Sequence, residues 1–463
     1  MKKYETETIR NVGLFSHGGE GKTSIVETML FLAGENNRLG RVDEGSSLMD
    51  YEPEEVERKA SISASLACFE WNKHKINLID TPGDDNFIYD AKLCMRVVDA
   101  AVVLVGAVSG VRVQTERVWE YANEFAIPVF LFVNKMDRER ADFNRTLEDV
   151  RKSFVDKSIV PVQLPMGKEE SFKGIIDLIA MKAYLYKDDL SGAFQAVDIP
   201  AEYADEAAKA REKLIESAVE MDDEIMERYL NGDAIKDEEI QACLKGGIWN
   251  RRIVPVLTGS AGKAMGMQLL LDHLVTYAPD PLYKGKAEGI EPRTGKAVDR
   301  QMTTGEPFSG FVFKTITDPF AGKLTLFKVY SGELHPDSVV LDVKKDEKER
   351  IGQIFYLVGK SRSRPASSPW VTSPRWPSSK RRPQAIPSAT RSRPSSTRRS
   401  SFLLPSSPFP STRSRRATRT SSTRPLPASS RRTRASVIRG TSRRRSSSSP
   451  AWARSTSRCS SPG

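Results

Sequence analysis

The 463-residue chain is long enough for two to four domains with sizeable cores, and its formal net charge at pH 7 is +11. Residues 361–463 hold 24 of the 71 Lys and Arg residues and none of the 60 Asp and Glu residues, so residues 1–360 carry a net charge of −13. The four cysteines have no metal-ligand spacing, the N-terminus lacks a signal-peptide core, and no apolar run approaches the ~18 residues of a membrane span. We therefore expect a soluble, cytoplasmic protein with reduced thiols and no membrane partner.

The first predicted strand, 9–15, leads into a glycine-rich segment and then a predicted helix over 24–32. Strand, glycine-rich turn and helix form the context of a phosphate-binding loop, in which backbone N–H groups and the helix dipole face phosphate oxygens. The candidate nucleotide-binding residues of this segment are Ser16, His17, Gly18, Gly19, Glu20, Gly21, Lys22, Thr23 and Ser24. Lys22 would reach the β/γ-phosphates and Thr23 would bind Mg²⁺. Ser16 stands where the strict pattern has glycine, and the alternative is a glycine-rich connection that opens an ordinary helix.

A polar loop is predicted over 34–57, followed by strands over 67–71 and 75–79. The second of these strands ends in Asp80, Thr81, Pro82 and Gly83. At the carboxyl end of a strand, Asp80 can hold Mg²⁺ through water, and the Gly83 N–H can approach a terminal phosphate. Such a turn is common by itself, but here it lies 58 residues after Lys22.

Further along the chain, strands are predicted over 99–106 and 128–133, with a helix over 114–125 between them. The second strand ends in Asn134, Lys135 and Asp137, where a carboxylate can accept hydrogen bonds from N1–H and the 2-amino group of guanine. Adenine offers neither donor, so the carboxylate would be left unpaired. The alternative for Asp137 is a helix-capping aspartate.

A last strand, predicted over 254–257, precedes Ser260 and Ala261, a small-residue turn able to pack against a base. Phosphate loop, aspartate turn, guanine motif and small-residue turn thus occur in order, each after a strand. This order predicts a GTPase that binds GTP or GDP with Mg²⁺, built on an α/β P-loop fold.

About 120 residues separate Asp137 from Ser260, more than a bare GTPase domain needs. Within them, 161–167 and 172–178 resemble the extra subdomain of elongation factor G, which elongation factor Tu lacks. Segments 307–314, 318–324 and 329–332 resemble the start of that family's second domain, with short alternating strands and glycine turns. The resemblance implies a GTP-binding domain at 1–285 with an inserted subdomain at about 158–255, and a truncated domain II β-barrel at 286–360.

The resemblance also implies the roles of individual residues. Lys22, Thr23, Asp80, Gly83 and the residues at 134–137 and 260–261 match the family's nucleotide and Mg²⁺ positions. Ser61 stands in place of the switch I threonine, and its hydroxyl can still bind Mg²⁺.

Two further departures concern the chemistry. Gly19 and Glu20 put a carboxylate beside the phosphates, and Asp84 replaces the histidine that positions the attacking water. With Gly83 and Asp84 as the catalytic candidates, hydrolysis is expected to be slower or differently triggered, because a carboxylate is repelled by the γ-phosphate. The alternative is that Asp84 accepts from water and hydrolysis is ordinary.

For function, the resemblance implies a monomeric factor in which ribosome-stimulated GTP hydrolysis drives translocation of tRNA and mRNA. A ribosome-protection or ribosome-recycling GTPase shares the same GTPase domain. A nucleotide-gated ribosome-binding module with little hydrolysis is a further alternative, favoured by Asp84 and Glu20.

Residues from 361 onward are mostly Ser, Arg, Pro and Thr, which fits a basic, disordered RNA-binding tail. The genetic code offers another interpretation: shifted by two bases, the codons of Trp370 and Val371 give glycine, and the next triplets permit Asp-Ile-Ala. Across 384–388 the shifted frame permits Gly-Asp-Thr-Leu, and both sequences are expected in the second domain of elongation factor G. We therefore predict that residues 361–463 are a frameshifted translation, and that the chain lacks the end of domain II and the family's C-terminal half.

Overall fold

The computed structural model describes residues 4–291, 294–318 and 322–359, and the backbone of 361–363 and 370–374. All of these residues lie in a single unit of the structure. The predicted frameshifted, disordered tail falls outside them, apart from the two backbone stretches. Among the described residues, no helix has the length and apolar character needed to cross a membrane.

The first part of the chain alternates strands and helices. In chain order the elements are β1 (Ile9–Phe15), α1 (Lys22–Leu32), α2 (Pro53–Arg58), β2 (Ser65–Trp71), β3 (His74–Asp80), α3 (Ile88–Met95), β4 (Ala100–Gly106), α4 (Val113–Glu124), β5 (Val129–Asn134), α5 (Phe143–Ser153) and β6 (Ser158–Pro161), with 3-10 helices at Thr6–Thr8 and Asp85–Phe87. The predicted strands and helices in this part lie within two residues of these bounds. The segment predicted as a polar loop ends in α2, which starts with Pro53, a residue whose fixed φ suits the first helical position.

An insert then leaves the main body and returns to it. Its elements are β7 (Gln163–Met166), a 3-10 helix (Glu169–Ser171), β8 (Gly174–Asp177), β9 (Lys182–Tyr186), β10 (Phe194–Val197), α6 (Ala201–Val219), α7 (Asp223–Leu230) and α8 (Asp237–Trp249), after which come β11 (Ile253–Thr258) and α9 (Met267–Tyr277). The four insert strands form an antiparallel sheet in the order β10-β9-β8-β7. Because β6 pairs in parallel with β11, the first strand of the predicted insert at about 158–255 belongs to the central sheet.

The central sheet has seven strands in the order β2-β3-β1-β4-β5-β11-β6. β2 runs antiparallel to β3, and the other pairs are parallel. Every residue of β1, β4, β5 and β11 is buried, as expected for parallel strands covered on both faces. The carboxyl ends of parallel strands meet at one edge, so the loops after β1, β3, β5 and β11 lie together there.

The remaining described residues form antiparallel β-structure. Its strands are β12 (Lys286–Ile290), β13 (Ala297–Gln301), β14 (Ser309–Asp318), β15 (Gly322–Ser331), β16 (Val339–Asp342), β17 (Glu347–Arg350), β18 (Tyr356–Val358), β19 (Ser361–Ser363) and β20 (Trp370–Pro374). Strands β14, β15 and β20 form one sheet, and the others pair as hairpins. Phe311, Phe313 and Leu326 extend the core of the first part, whereas Phe308, Val340 and neighbours form a small core of their own. The predicted α/β fold followed by a β-rich region is confirmed.

Candidate functional site

The glycine-rich loop connects β1 to α1 in a conformation that glycine permits. Gly19 and Gly21 have φ values of 78° and 90°, the left-handed region that side chains disfavour. A Cβ on Gly21 would also lie 2.7 Å from Nδ2 of Asn134. The loop therefore packs closely against the segment after β5, and Gly21 is what allows this approach.

Lys22 begins α1, and its side chain folds back along the loop. Its Nζ donates to Ser16 Oγ at 2.9 Å and to the His17 carbonyl at 3.2 Å. Ser16, the departure from the strict pattern, thus supplies an acceptor for Lys22. Burial lowers the pKa of the Lys22 ammonium, and the carboxylates of Asp80 and Glu20 raise it part of the way back.

The three residues predicted to hold a metal ion lie together. Thr23 Oγ1 is 2.7 Å from Asp80 Oδ2 and 3.0 Å from Ser61 Oγ. The other oxygen of Asp80, Oδ1, is buried and has no hydrogen-bond partner. Burial raises the pKa of Asp80, and the nearby carboxylate of Asp50 raises it further. The cluster thus contains oxygen atoms that can still bind a cation.

Asp50 is a residue of this site that the sequence analysis missed. It is 3% exposed, and burial raises its pKa to about 6, while the Ser61 hydroxyl lowers it. It belongs to the segment predicted as a polar loop, where no periodic pattern marks it. The signal was local: an acidic residue stands directly after Leu48 and Met49 in an otherwise polar stretch.

Two buried glutamates hold the segment that contains Asp50 and Ser61. Glu27 Oε1, on α1, accepts from Ser47 Oγ at 2.7 Å and from the N–H of Leu48 at 2.6 Å. Glu55 Oε1 accepts from the N–H groups of Ile62 and Ser63 at 2.9 and 3.1 Å. These bonds fix both ends of the segment against the metal-ligand candidates.

The turn after β3 packs against the phosphate loop. Thr81 Oγ1 donates to the Leu14 carbonyl at 2.6 Å, and Pro82 is buried. A Cβ on Gly83 would lie 2.7 Å from the Gly18 nitrogen and would overlap Lys22 Nζ, so glycine is required for this approach. Asp84, by contrast, is exposed, and its Oδ1 accepts from the N–H and Nδ2 of Asn86 at 2.9 and 2.7 Å. The Asp84 carboxylate therefore caps the 3-10 helix that follows.

Two predicted residues of the phosphate loop face α4 and the loop before it. His17 Nδ1 contacts Gln114 Oε1. Glu20 is buried, and its Oε1 accepts from Ser109 Oγ at 2.7 Å. This carboxylate, predicted to lie beside the phosphates, is bonded in the structure to the loop after β4. Ser24 lies in the first turn of α1, where its carbonyl accepts from Thr28.

The segment after β5 is bonded to both neighbouring loops. Asn134 Nδ2 donates to the Glu20 carbonyl at 2.8 Å, and its Oδ1 accepts from the Ala261 N–H at 3.1 Å. Lys135 Nζ donates to the Gly19 carbonyl at 2.5 Å. Ser260 Oγ donates to Asp137 Oδ1 at 2.6 Å. The structure therefore brings the four loops together, whereas Asp84 is exposed and bonds only the 3-10 helix that follows it among the contacts described.

Comparison with known proteins identifies the family of this chain. A family model described as "Elongation factor Tu GTP binding domain" matches residues 7–280, more than half of the chain. A second, described as "Elongation factor G domain 2", matches residues 307–366. A protein from Thermus thermophilus, known from a crystal structure, has 28% sequence identity with this chain and superposes on it with a TM-score of 0.69. The match covers 79% of this chain and 52% of the Thermus thermophilus chain. The chain thus spans about half the length of that solved protein.

The first match confirms the predicted enzyme class: a GTPase, and so a hydrolase, whose domain binds guanine nucleotide. The second match confirms the resemblance drawn from the strands that begin at residue 307. The chain belongs to the translational GTPases that share the elongation factor Tu GTP-binding domain, and within them it is elongation-factor-G-like.

Proposed function

We propose that the four loops at the carboxyl edge of the central sheet form one GTP site, and that this chain is a cytoplasmic monomer acting on the ribosome. There, stimulated GTP hydrolysis would drive translocation of tRNA and mRNA. The observation that carries the proposal is the network joining the loops, in which Asn134 bonds the phosphate loop and Ser260 bonds Asp137.

The base would be recognised by Asp137. Ser260 engages Oδ1 and holds the carboxylate in one orientation, leaving acceptor capacity for N1–H and the 2-amino group of guanine. Lys135 and Asn134 tie this recognition to the phosphate loop through the carbonyls of Gly19 and Glu20. Adenine would leave the carboxylate without donors, which is the basis of the proposed selectivity.

The phosphates would lie in the glycine-rich loop at the N-terminus of α1. Backbone N–H groups of the loop and the helix dipole favour anions there, and Lys22 would move from Ser16 to the β/γ-phosphates. Gly83 would donate its N–H to the terminal phosphate, since its backbone already lies against Gly18.

The residues present fit a magnesium ion. Mg²⁺ prefers oxygen ligands and is commonly held by one or two carboxylates together with substrate phosphates. Thr23, Ser61 and Asp80 would hold it, since Asp80 Oδ1 is buried without a hydrogen-bond partner. The nearby Asp50 carboxylate, whose two oxygens are also buried without a hydrogen-bond partner, would add negative charge that favours the ion. When bound, the ion would neutralise charge on the phosphate oxygens during transfer.

A second candidate function is a nucleotide-gated ribosome binder with little hydrolysis. The observation that favours it is Asp84, whose carboxylate caps the following turn through Asn86 and carries a charge of the same sign as the γ-phosphate. A ribosome-protection or recycling role would use the same site, and the described residues favour none of these ribosomal steps over another.

We also propose that residues from about 361 are translated out of frame. Support comes from the abrupt loss of Asp and Glu and from the shifted-frame triplets, which permit Gly-Asp-Ile-Ala and Gly-Asp-Thr-Leu. The gene's nucleotide sequence tests this directly: a single-base insertion or deletion near codon 361 is expected, and a shifted frame interrupted by stop codons would refute it.

The function is tested by GTP hydrolysis of the full chain with and without ribosomes, with Lys22→Ala as the inactive control. We expect ribosomes to raise the wild-type rate and to leave the Lys22→Ala rate unchanged. Guanine-nucleotide binding without any stimulated hydrolysis would favour the binding module instead.

A further inference from the structure

The carboxylate of Glu20, in the phosphate loop, is buried. The Glu20 side chain is 5% exposed, although a carboxylate is costly to bury without partners. Oε1 accepts from Ser109 Oγ, and Oε2 lies 3.5 Å from Lys135 Nζ, beyond hydrogen-bond contact. The carboxylate therefore bridges the loop after β4 to the lysine of the guanine motif.

Space for this bridge is provided by a glycine. A Cβ on Gly106, the last residue of β4, would overlap Glu20 Oε2, so any larger residue there would displace the carboxylate. Ser109 follows three residues later, and its hydroxyl also lies 3.5 Å from the Gly106 carbonyl. The loop after β4 is thus shaped to receive the Glu20 side chain.

The backbone around Glu20 meets the same segment from the other side. Asn134 Nδ2 donates to the Glu20 carbonyl, and Lys135 Nζ donates to the Gly19 carbonyl. Glu20 therefore meets the guanine motif twice: its carbonyl accepts from Asn134, and its carboxylate lies near the Lys135 ammonium. Displacing the carboxylate would remove the anion that faces Lys135 and would loosen the lysine's hold on the phosphate loop.

We propose that Glu20 is a positioning residue that couples the phosphate and base subsites and slows release of guanine nucleotide. The inference rests on the proposed GTP site. The Glu20 charge holds Lys135 over the phosphate loop, and the Ser109 hydroxyl holds the Glu20 carboxylate. Nucleotide release then requires the loop after β4 and the phosphate loop to move together.

The test is dissociation of a fluorescent GDP analogue from the full chain, chased with excess GDP. A hydrogen bond to a charged group changes an equilibrium constant by about one to two powers of ten. Glu20→Ala is therefore expected to accelerate dissociation about tenfold, and Ser109→Ala, which keeps the Glu20 charge, about threefold. Glu20→Gln, which keeps a partner for Ser109 but loses the charge, should fall between wild type and Glu20→Ala. The double variant Glu20→Ala/Ser109→Ala should release GDP no faster than Glu20→Ala.

A matched control is Glu291→Ala, which removes an exposed glutamate that accepts from the Thr294 hydroxyl at 2.6 Å. Its dissociation rate should equal that of wild type. The thermal midpoint of the nucleotide-free protein should stay within a few degrees of wild type in Glu20→Ala, which separates positioning from a general loss of stability. Additive effects of Glu20→Ala and Ser109→Ala, or a dissociation rate unchanged by Glu20→Ala, would overturn the role of Glu20. A wild-type chain that fails to bind GDP would overturn the GTP site as well.

Discussion

A buried ion pair joins the β-rich region to the GTP-binding domain, and its loss should be measurable. Lys328, on β15, lies 2.5 Å from Asp99 Oδ1, and both side chains are 3% exposed. Asp99 Oδ2 accepts from Asn11 Nδ2 at 2.7 Å, and Asn11 Oδ1 accepts from Asn77 Nδ2 at 2.8 Å. The lysine thus ends a buried polar chain that joins the residue before β4 to β1 and β3.

Lys328→Met removes the cation in contact with Asp99 and leaves this buried carboxylate with its hydrogen bond from Asn11 and the more distant charges of Arg10 and Lys284. Breaking a buried pair in this way costs about 3–5 kcal/mol of the free energy of unfolding. Lys286→Met is the matched control, because Lys286 and Asp299 are 2.7 Å apart but 49% and 48% exposed. An exposed pair contributes about 0–1 kcal/mol.

Urea unfolding of the two variants measures the difference. The double variant Lys328→Met/Asp99→Asn should recover part of the loss, since a neutral amide can still bond Asn11. The reasoning is wrong if Lys328→Met lowers the free energy of unfolding no more than Lys286→Met does. It is also wrong if adding Asp99→Asn to Lys328→Met lowers the free energy of unfolding further instead of restoring part of it.

Three further predictions concern the nucleotide site. Asp137→Asn should shift preference from guanine to xanthine nucleotides, because an amide can donate to the 2-carbonyl of xanthine while accepting from N1–H. Competition binding measures this preference, and an unchanged preference for guanine would contradict the prediction. Asp50→Asn should stabilise the nucleotide-free protein at pH 7.5 by up to ~3 kcal/mol, because the pKa of Asp50 is raised from 3.8 to about 6 and burying its charge costs stability as pH rises through that range. That difference should vanish below pH 4 in urea unfolding, and a difference independent of pH would refute it. Asp84→His should raise ribosome-stimulated single-turnover hydrolysis about tenfold or more, as expected for a positioned neutral base, and an unchanged rate would remove the role given to Asp84.

The sequence was most informative where apolar runs meet short polar motifs. β1, β4, β5 and β11 are continuous apolar runs because both faces of a parallel strand are buried, so their bounds followed closely from the residues. The motifs that follow β1, β3, β5 and β11 met at one edge because these strands run parallel.

What the sequence did not reveal depends on contacts between distant residues. The bond from Ser109 to Glu20 joins residues 89 positions apart, and nothing in either segment predicts it. β6 has four residues and pairs at the sheet edge with β11, so its sequence could not separate it from the insert. Asp50 is buried near Ser61, Glu27 and Lys22, and the last two of these lie on α1 rather than in its own segment.

The central claim is that this site selects guanine through Asp137, and calorimetric titration of the full chain with GDP and ADP tests it most directly. We expect GDP to bind and ADP to bind at least roughly 10⁴-fold more weakly, because adenine leaves the Asp137 carboxylate without donors. Equal affinity for the two nucleotides, or no binding of GDP, would contradict the account.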